Sequence, residues 1–313
     1  MYPQFFVTLS SELVDTIADG TAFRLYYTVA AECFKDHFMQ SPIRTLTTIT
    51  MTIASTQYQP LSKGKISLLS QLESKKFREK HGLFIVQGEK SVIDALGSFE
   101  LDTLCATAGW LESHTEMVDK IPADKVALCN PAGMKKISSL KNPPEIVAAF
   151  KLPAKESAIP ILDPGKIYLL LDGIQDPGNL GSILRTAHWF GVSGIFASTD
   201  TVDIYNPKAI MATMGSISSI SIRYLDLASL IESNKNIPVY GTLLDGENIY
   251  DAKLTKGAMI VFGNEGKGIS AAIRSLIDNA ILIPPFLEND HSESLNVAAA
   301  TAITLSEFRR RTH

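Results

Sequence analysis

The sequence predicts an α/β protein whose C-terminal half is a doubly wound, mainly parallel sheet. Three observations carry that expectation. Ile167-Tyr168-Leu169-Leu170-Leu171 is a continuous apolar run of the kind buried on both faces of a parallel sheet. Strand-like and helix-like segments then alternate to the end of the chain. Three polar, glycine-bearing turns follow strand candidates, which is where such folds hold their ligands.

Composition sets the outer bounds. The chain has 313 residues, 45% hydrophobic and 20% charged, enough apolar material for packed cores and a length suited to two domains. Lys plus Arg number 29 and Asp plus Glu 33, a net charge of −4, so the whole chain is no polycation and nucleic-acid contact has to be local. Cys33, Cys105 and Cys129 lie far apart without a C-x-x-C pair, which argues against a disulfide framework or a zinc site and for a reducing cytoplasm. No apolar run reaches the ~20 residues of a membrane span. No secretory signal is visible, so the expectation is a cytoplasmic protein without membrane contact.

Residues 1–60 read as an N-terminal extension. Acidic Glu12, Asp15 and Asp19 precede a threonine-rich stretch over residues 45–56, and residues 10–19 suit one amphipathic helix with Leu13, Val14 and Ile17 on a face. Met39 and Met51 both precede the first strongly patterned segment. An upstream-start extension and an accessory helical arm are both open.

Residues 61–152 read as a small α/β domain. Ser62 caps a helix carrying Ile66, Leu69, Leu72 and Phe77, which ends in the basic cluster of residues 75–81. Residues 83–86 form a buried strand, Gly88 opens a helix with Val92, Ile93 and Leu96, and residues 126–128 and 146–150 are strands on either side of a helix over 131–137. A basic helix end is ordinarily just solvated. Phe77 among Lys75, Lys76 and Arg78 also suits an RNA backbone, so these three basic residues are candidate RNA contacts. Residues 153–165, with Pro153, Pro160 and Pro164, read as a linker.

In residues 166–313, helices are expected over 180–190, 207–214 and from Leu295, and strands over 194–198, 239–243, 259–262 and 280–283. The first turn, residues 172–181, leads into a helix with Asn179 as N-cap, whose following N–H groups can hold an anion. Arg185 stands on that helix among Leu184, Ala187 and Phe190, poised for substrate or merely paired with Asp172 or Asp176. The second turn, residues 262–270, has glycines at 263, 266 and 268 that allow close backbone approach to a ligand. Its spacing is neither a P-loop nor G-x-G-x-x-G. Taken alone, Glu265 there is an exposed surface acid. After the third strand, Ser294 or Asn296 caps a last helix whose Leu295, Ala298, Ala299, Ala302 and Leu305 recur at helical spacing. Its alanines suit core packing or a dimer contact.

Together the turns carry N-x-G-x-x-x-R-x-A at residues 179–187, G-x-E-G-x-G-x-S (in outline) at 263–270, and I-P with S-L-N-V at 283–284 and 294–297. In this order they resemble the SpoU/TrmH group of SPOUT RNA methyltransferases. The likeness covers residues 166–310 well and 62–150 more loosely, as the RNA-binding domain that often precedes the catalytic one. It implies a C-terminal parallel sheet with a trefoil knot, against the ordinary rule of unknotted chains. It also implies methyl transfer from S-adenosylmethionine to a ribose 2′-hydroxyl of rRNA or tRNA, without a metal, by a homodimer. By that resemblance Gly263, Ile283 and Leu295 contact the cofactor largely through main chain, with Gly268 beside them. Asn179, Arg185, Glu265, Ser294 and Asn296 fall on catalytic or substrate-side positions. A guanidinium stays protonated, so Arg185 is expected to act as an electrostatic clamp rather than a base.

The stretch between Pro284 and Ser294 is longer than the group's usual pattern. Leu287 stands where glycine is common, and Asp290 and His291 sit in the added loop, His291 as a surface residue. Gln87 replaces a usual Glu. His188 and Trp189 read as packing residues. The competing class is a non-catalytic RNA-binding or ribosome-assembly factor that keeps the fold, and the presence of Arg185, Glu265 and Asn296 speaks against it.

Overall fold

A computed structural model describes residues 58–154, 156, 158–286 and 295–311. The expected helix over 10–19, the threonine-rich stretch, and Leu287, Asp290, His291 and Ser294 lie outside the described residues. All described residues belong to one compact unit.

The N-terminal half runs β1 (Gln59–Pro60), α1 (Lys63–Gln71), α2 (Lys75–His81), β2 (Leu83–Gln87), α3 (Glu89–Leu96), β3 (Leu101–Ala106), α4 (Ala108–Ser113), α5 (Thr115–Val118), β4 (Val126–Leu128), α6 (Pro131–Ile137) and β5 (Ile146–Lys151). Its sheet has the order β1-β4-β3-β5-β2, with β5 antiparallel to both neighbours and the other pairs parallel. Alternation along the strands sorts the side chains. Leu83, Ile85, Cys105, Val147 and Ala149 pack with Leu69, Leu72 and Met134 on one face. Phe84, Val86, Leu104, Ala148 and Phe150 fill the other. Burial pushes the Cys105 thiol far above its ordinary range, and it is a core residue.

Ser62 does cap α1, accepting from the Lys65 amide at 3.2 Å. The single helix expected through residue 81 is instead two, broken at Leu72-Glu73-Ser74. Arg78 explains the break. Its Nη1 donates to the carbonyls of Leu72 (2.8 Å) and Glu73 (2.7 Å), satisfying groups that the end of α1 leaves open.

The C-terminal half runs β6 (Ile167–Asp172), α7 (Pro177–Trp189), β7 (Gly194–Ala197), α8 (Pro207–Thr213), β8 (Ile222–Tyr224), α9 (Leu227–Ser233), β9 (Val239–Asn248), β10 (Ala258–Gly263), α10 (Ala271–Arg274), β11 (Asn279–Leu282) and α11 (Val297–Arg310). Every strand pair is parallel, in the order β11-β9-β10-β6-β7-β8. The chain leaves β6 toward β7 on one side, whereas β10 on its other side belongs to a separate excursion. The β6/β10 junction is therefore the topological switch point, and the register sets Asp172 beside Gly263 at its carboxyl end. Both faces are covered, which is why the strands read as unbroken apolar runs: Leu169, Leu171, Ile260 and Phe262 lie on one side and Leu170, Met259 and Val261 on the other. The path between Phe286 and Leu295, on which the expected knot turns, lies outside the described residues.

The two halves share one hydrophobic core, in which Phe84 and Val86 join Ile204, Ile210 and Ile217. The Phe84 and Tyr205 rings stand 4.7 Å apart. Residues 153–165 hold no helix or strand among those described, yet they are not a free tether. Leu162 is buried, its amide donates to Asn234 Oδ1 (2.8 Å), and Asn234 Nδ2 donates to the Pro160 carbonyl (3.1 Å).

One expectation is overturned here. Arg78, read as a candidate RNA contact, is 2% exposed. Its Nη2 and Nε donate to Asp203 Oδ2 of the C-terminal half, at 2.7 and 3.1 Å. Two of its donors hold the halves together and two close the end of α1, all out of reach of solvent. Lys75 and Lys76 do lie on the surface.

Candidate active site

The site is assembled from the three turns at the carboxyl ends of β6, β10 and β11. In the first, Asp176 rather than Asn179 is the N-cap of α7: Asp176 Oδ1 accepts from the Asn179 amide at 2.7 Å. The Asp-Pro pair was the signal, since Pro177 takes the first helical position where its missing N–H costs nothing. Asn179 is thereby moved into the first turn, with its side chain free to face the other two loops. The motif glycine Gly181 serves packing. A Cβ there would stand 2.4 Å from the Ala209 carbonyl and 2.5 Å from Ala212, so α7 and α8 cross closely only because it is glycine.

The second turn folds back on itself. Asn264 and Gly268 exchange backbone hydrogen bonds of 3.0 and 2.9 Å, and Gly268 takes a left-handed φ of 70°. A Cβ on Gly263 would meet the Gly268 and Ile269 backbone at 2.3 Å. Asn264, not singled out from the sequence, and Asp172, read there only as a possible partner of Arg185, pin this loop. Asn264 Nδ2 donates to the Gly173 carbonyl (2.7 Å) while its Oδ1 accepts from the amides of Gly266 and Lys267 (both 2.9 Å). Asp172 Oδ2 accepts from the Ser270 amide at 2.7 Å.

The third turn delivers Asn296, the N-cap of α11. Its Oδ1 accepts from the amides of Ala298 (3.0 Å) and Ala299 (3.3 Å). That leaves its Nδ2 to donate to Asn179 Oδ1 at 3.0 Å, and Asn179 Nδ2 in turn donates to Glu265 Oε1 at 2.9 Å. The amide orientations follow from the network, because backbone N–H groups can only donate. One chain of hydrogen bonds, Asn296–Asn179–Glu265, thus ties all three turns together. Glu265 Oε2 keeps only a long 3.5 Å contact, from the Gln175 amide, so the carboxylate still has accepting capacity facing solvent.

Beside this chain opens a cleft of about 1080 Å³, lined by Gly263, Gly268, Ile283, Leu295 and the backbone around them. Its inner walls are apolar (Ile249, Phe262, Ile281) and its mouth is polar. At the rim Asp245 and Arg274 pair at 2.5 Å. Leu244 and Leu295 expose apolar surface at the cleft, 74% and 51% accessible.

Arg185 is exposed on α7 and takes no part in the hydrogen-bonded chain. The bland alternative for it fails. Asp172 and Asp176 are engaged by the Ser270 and Asn179 amides, and no ion pair to Arg185 forms among the described residues. Asn179, Glu265 and Asn296 are brought together; Gly263, Gly268, Ile283 and Leu295 line one cleft; Arg185 stands apart with its charge free.

Comparisons with known proteins agree with this arrangement. Residues 166–306 match the SpoU rRNA Methylase family, and residues 63–148 match the MRM3-like substrate binding domain. An uncharacterised tRNA/rRNA methyltransferase of Synechocystis is 31% identical over 85% of this chain and 96% of its own length. The Bacillus subtilis 23S rRNA (guanosine(2553)-2′-O)-methyltransferase RlmP is 28% identical over 81% of this chain and 99% of its own. Among solved structures, an AdoMet-bound rRNA methyltransferase from Sinorhizobium meliloti superposes with a TM-score of 0.72 at 28% identity, covering 82% of this chain and 97% of that one.

Proposed function

The chain belongs to the SpoU family of RNA methyltransferases, and from that footing we propose how its residues carry a methyl group from S-adenosylmethionine to a ribose 2′-hydroxyl of ribosomal or transfer RNA. The observation that carries the assignment of roles is the Asn296–Asn179–Glu265 chain at the mouth of the cleft.

The cleft suits the cofactor. It is large enough for a molecule of that size. Gly263 presents bare backbone to it, and the apolar inner walls with a polar mouth match a ligand that is flat and neutral at one end and charged at the other. When bound, S-adenosylmethionine supplies an electrophilic methyl group on a sulfonium. Gly263, Gly268, Ile283 and Leu295 hold it there, mainly through main chain, with Leu244 and Leu295 covering apolar surface.

The other residues act on the RNA. Arg185 stays protonated, so it does not take the hydroxyl proton, which passes to solvent at the open mouth of the site. It clamps a neighbouring phosphate and stabilises the negative charge that grows on the ribose oxygen. Glu265, held by Asn179, accepts a hydrogen bond from the ribose and fixes its approach, because in-line transfer depends on alignment. Asn296 keeps Asn179 oriented while capping α11. Ser294 belongs to this group by resemblance.

The N-terminal half, docked through Arg78, forms with the catalytic half one rigid frame for the RNA, with Lys75 and Lys76 on its surface. A homodimer is part of the proposal. Trp189, 85% exposed on α7, and the alanine-lined α11 offer surface for a second copy. No described helix is long and apolar enough to cross a membrane, and the proposed compartment is the cytoplasm.

The test is transfer of labelled methyl from S-adenosylmethionine to RNA from cells lacking this protein, followed by nucleoside analysis. A 2′-O-methylated nucleoside is expected. Methyl on a base, or binding of RNA and cofactor without transfer, would overturn the reading, the latter in favour of a non-catalytic RNA-binding factor.

A further inference from the structure

The deep end of the cleft contains an unexplained polar group. Thr304 lines it, is 0% exposed, and its hydroxyl finds no hydrogen-bond partner among the described residues. A helix offers threonine an easy remedy, donation to the carbonyl four residues back, and one turn earlier Thr301 takes it, reaching the Val297 carbonyl at 2.8 Å. Thr304 does not. A hydroxyl cut off from water without a partner is costly, and native proteins keep very few of them unless a ligand or water completes the bond.

The surroundings narrow the ligand's chemistry. Among the lining side chains most closed to solvent, Ile249, Phe262 and Ile281 are wholly apolar, and Thr304 alone carries a polar atom. The charged groups, including Asp245, Glu265, Lys267 and Arg274, are exposed, and the half-buried amides of Asn179 and Asn264 are already committed to hydrogen bonds within the loops. An ammonium or carboxylate driven to the deep end would lose its hydration against these walls without a counter-charge. A flat, neutral heterocycle with hydrogen-bonding edges fits them. We propose that Thr304 is the side-chain contact for the adenine of S-adenosylmethionine, its hydroxyl bonding a ring-edge nitrogen while the methionine end stays at the polar rim. The inference rests on the reading of the cleft as the cofactor site, and it makes Thr304 a positioning residue that sets the depth at which the cofactor sits.

Titration calorimetry on the full chain tests it, with S-adenosylmethionine, S-adenosylhomocysteine and adenosine as probes. Thr304→Val keeps the shape and removes the hydroxyl, and Thr304→Ser restores the hydroxyl. The valine variant should bind all three probes about 5- to 10-fold more weakly, the size of one lost hydrogen bond. The serine variant should stay within about 2-fold of wild type, and without ligand the valine variant should melt no lower than wild type. Wild-type affinity in Thr304→Val would overturn the proposal, as would a loss confined to S-adenosylmethionine with adenosine unaffected, or a lowered melting temperature of the free protein that tracks the affinity loss. Failure of the wild type itself to bind S-adenosylmethionine would instead overturn the cofactor reading beneath it.

Discussion

Arg78 and Arg185 carry the same charge on helices of the same chain and stand at opposite extremes. Arg78 is closed off from solvent, with four hydrogen bonds to two carbonyls and one carboxylate. Arg185 is exposed, without an ion-pair partner among the described residues. A guanidinium that is closed to solvent and spends four of its five donors within the protein is out of reach of a substrate, and its value lies in the geometry it fixes. One that is exposed and keeps its donors free is available for a phosphate. The environment of Asp203 reinforces the contrast. Burial pushes the Tyr205 hydroxyl up to about 12, with the Asp203 charge adding to the shift, so the tyrosines beside Asp203 stay neutral and Arg78 is its counter-ion.

Removing one partner of the buried pair should give the largest loss of stability. Arg78→Ala leaves Asp203 without its counter-ion and two carbonyls without their donor, and is expected to cost about 3–5 kcal/mol in urea unfolding. A cost below about 1 kcal/mol would put Arg78 on the same footing as a surface lysine. Asn296→Ala should cost about 1 kcal/mol through the lost helix cap. It should also couple to Asn179→Ala by about 0.5 kcal/mol or more in a double-mutant cycle on transfer rate. Strict additivity would show that the chain of amides does not act as a unit.

The smallest effect is a pH dependence at the far end of α11. Arg310 holds the Glu307 carboxyl below its ordinary pKa, Arg311 adds to this, and burial opposes both. With the folded pKa depressed, the stabilisation is complete above the ordinary carboxylate pKa and is lost as pH falls through the folded one. Glu307→Gln should therefore lower the melting temperature at pH 7 and narrow its gap to wild type as the pH is lowered through that window. A gap constant with pH would mean that the carboxylate contributes only packing. At the same end of the helix Arg309 donates to the carbonyls of Phe190 (2.7 Å) and Gly191 (2.6 Å) and so ties α11 to the end of α7.

The same contrast explains what could be read in the sequence. The central strands of the C-terminal half were legible because burial on both faces leaves apolar runs, whereas the short, half-buried edge strand β8 leaves no such run and was not. The glycine and amide spacing of the three turns was legible because each turn follows a strand. The cap of α7 is signalled by Asp176-Pro177 and not by Asn179, whose side chain has a different task. Arg78 was not legible. Seen locally, it is one more cation in a seven-residue basic helix, and its partner Asp203 lies 125 residues away in the other half. Thr304 was equally hidden, because a threonine in an alanine-rich helix looks like packing until its hydroxyl is found without a partner. Local pattern reports which face is apolar; it does not report which polar groups meet across the fold.

The central claim is that the free arginine serves the reaction. Its most direct test is single-turnover methyl transfer by Arg185→Ala, with the dissociation constant for S-adenosylmethionine and the melting temperature measured on the same preparation. The rate should fall about 100-fold or more, while cofactor affinity stays within about 2-fold and the melting temperature does not change. A rate within a few-fold of wild type, or a parallel fall in rate, affinity and melting temperature, would contradict it.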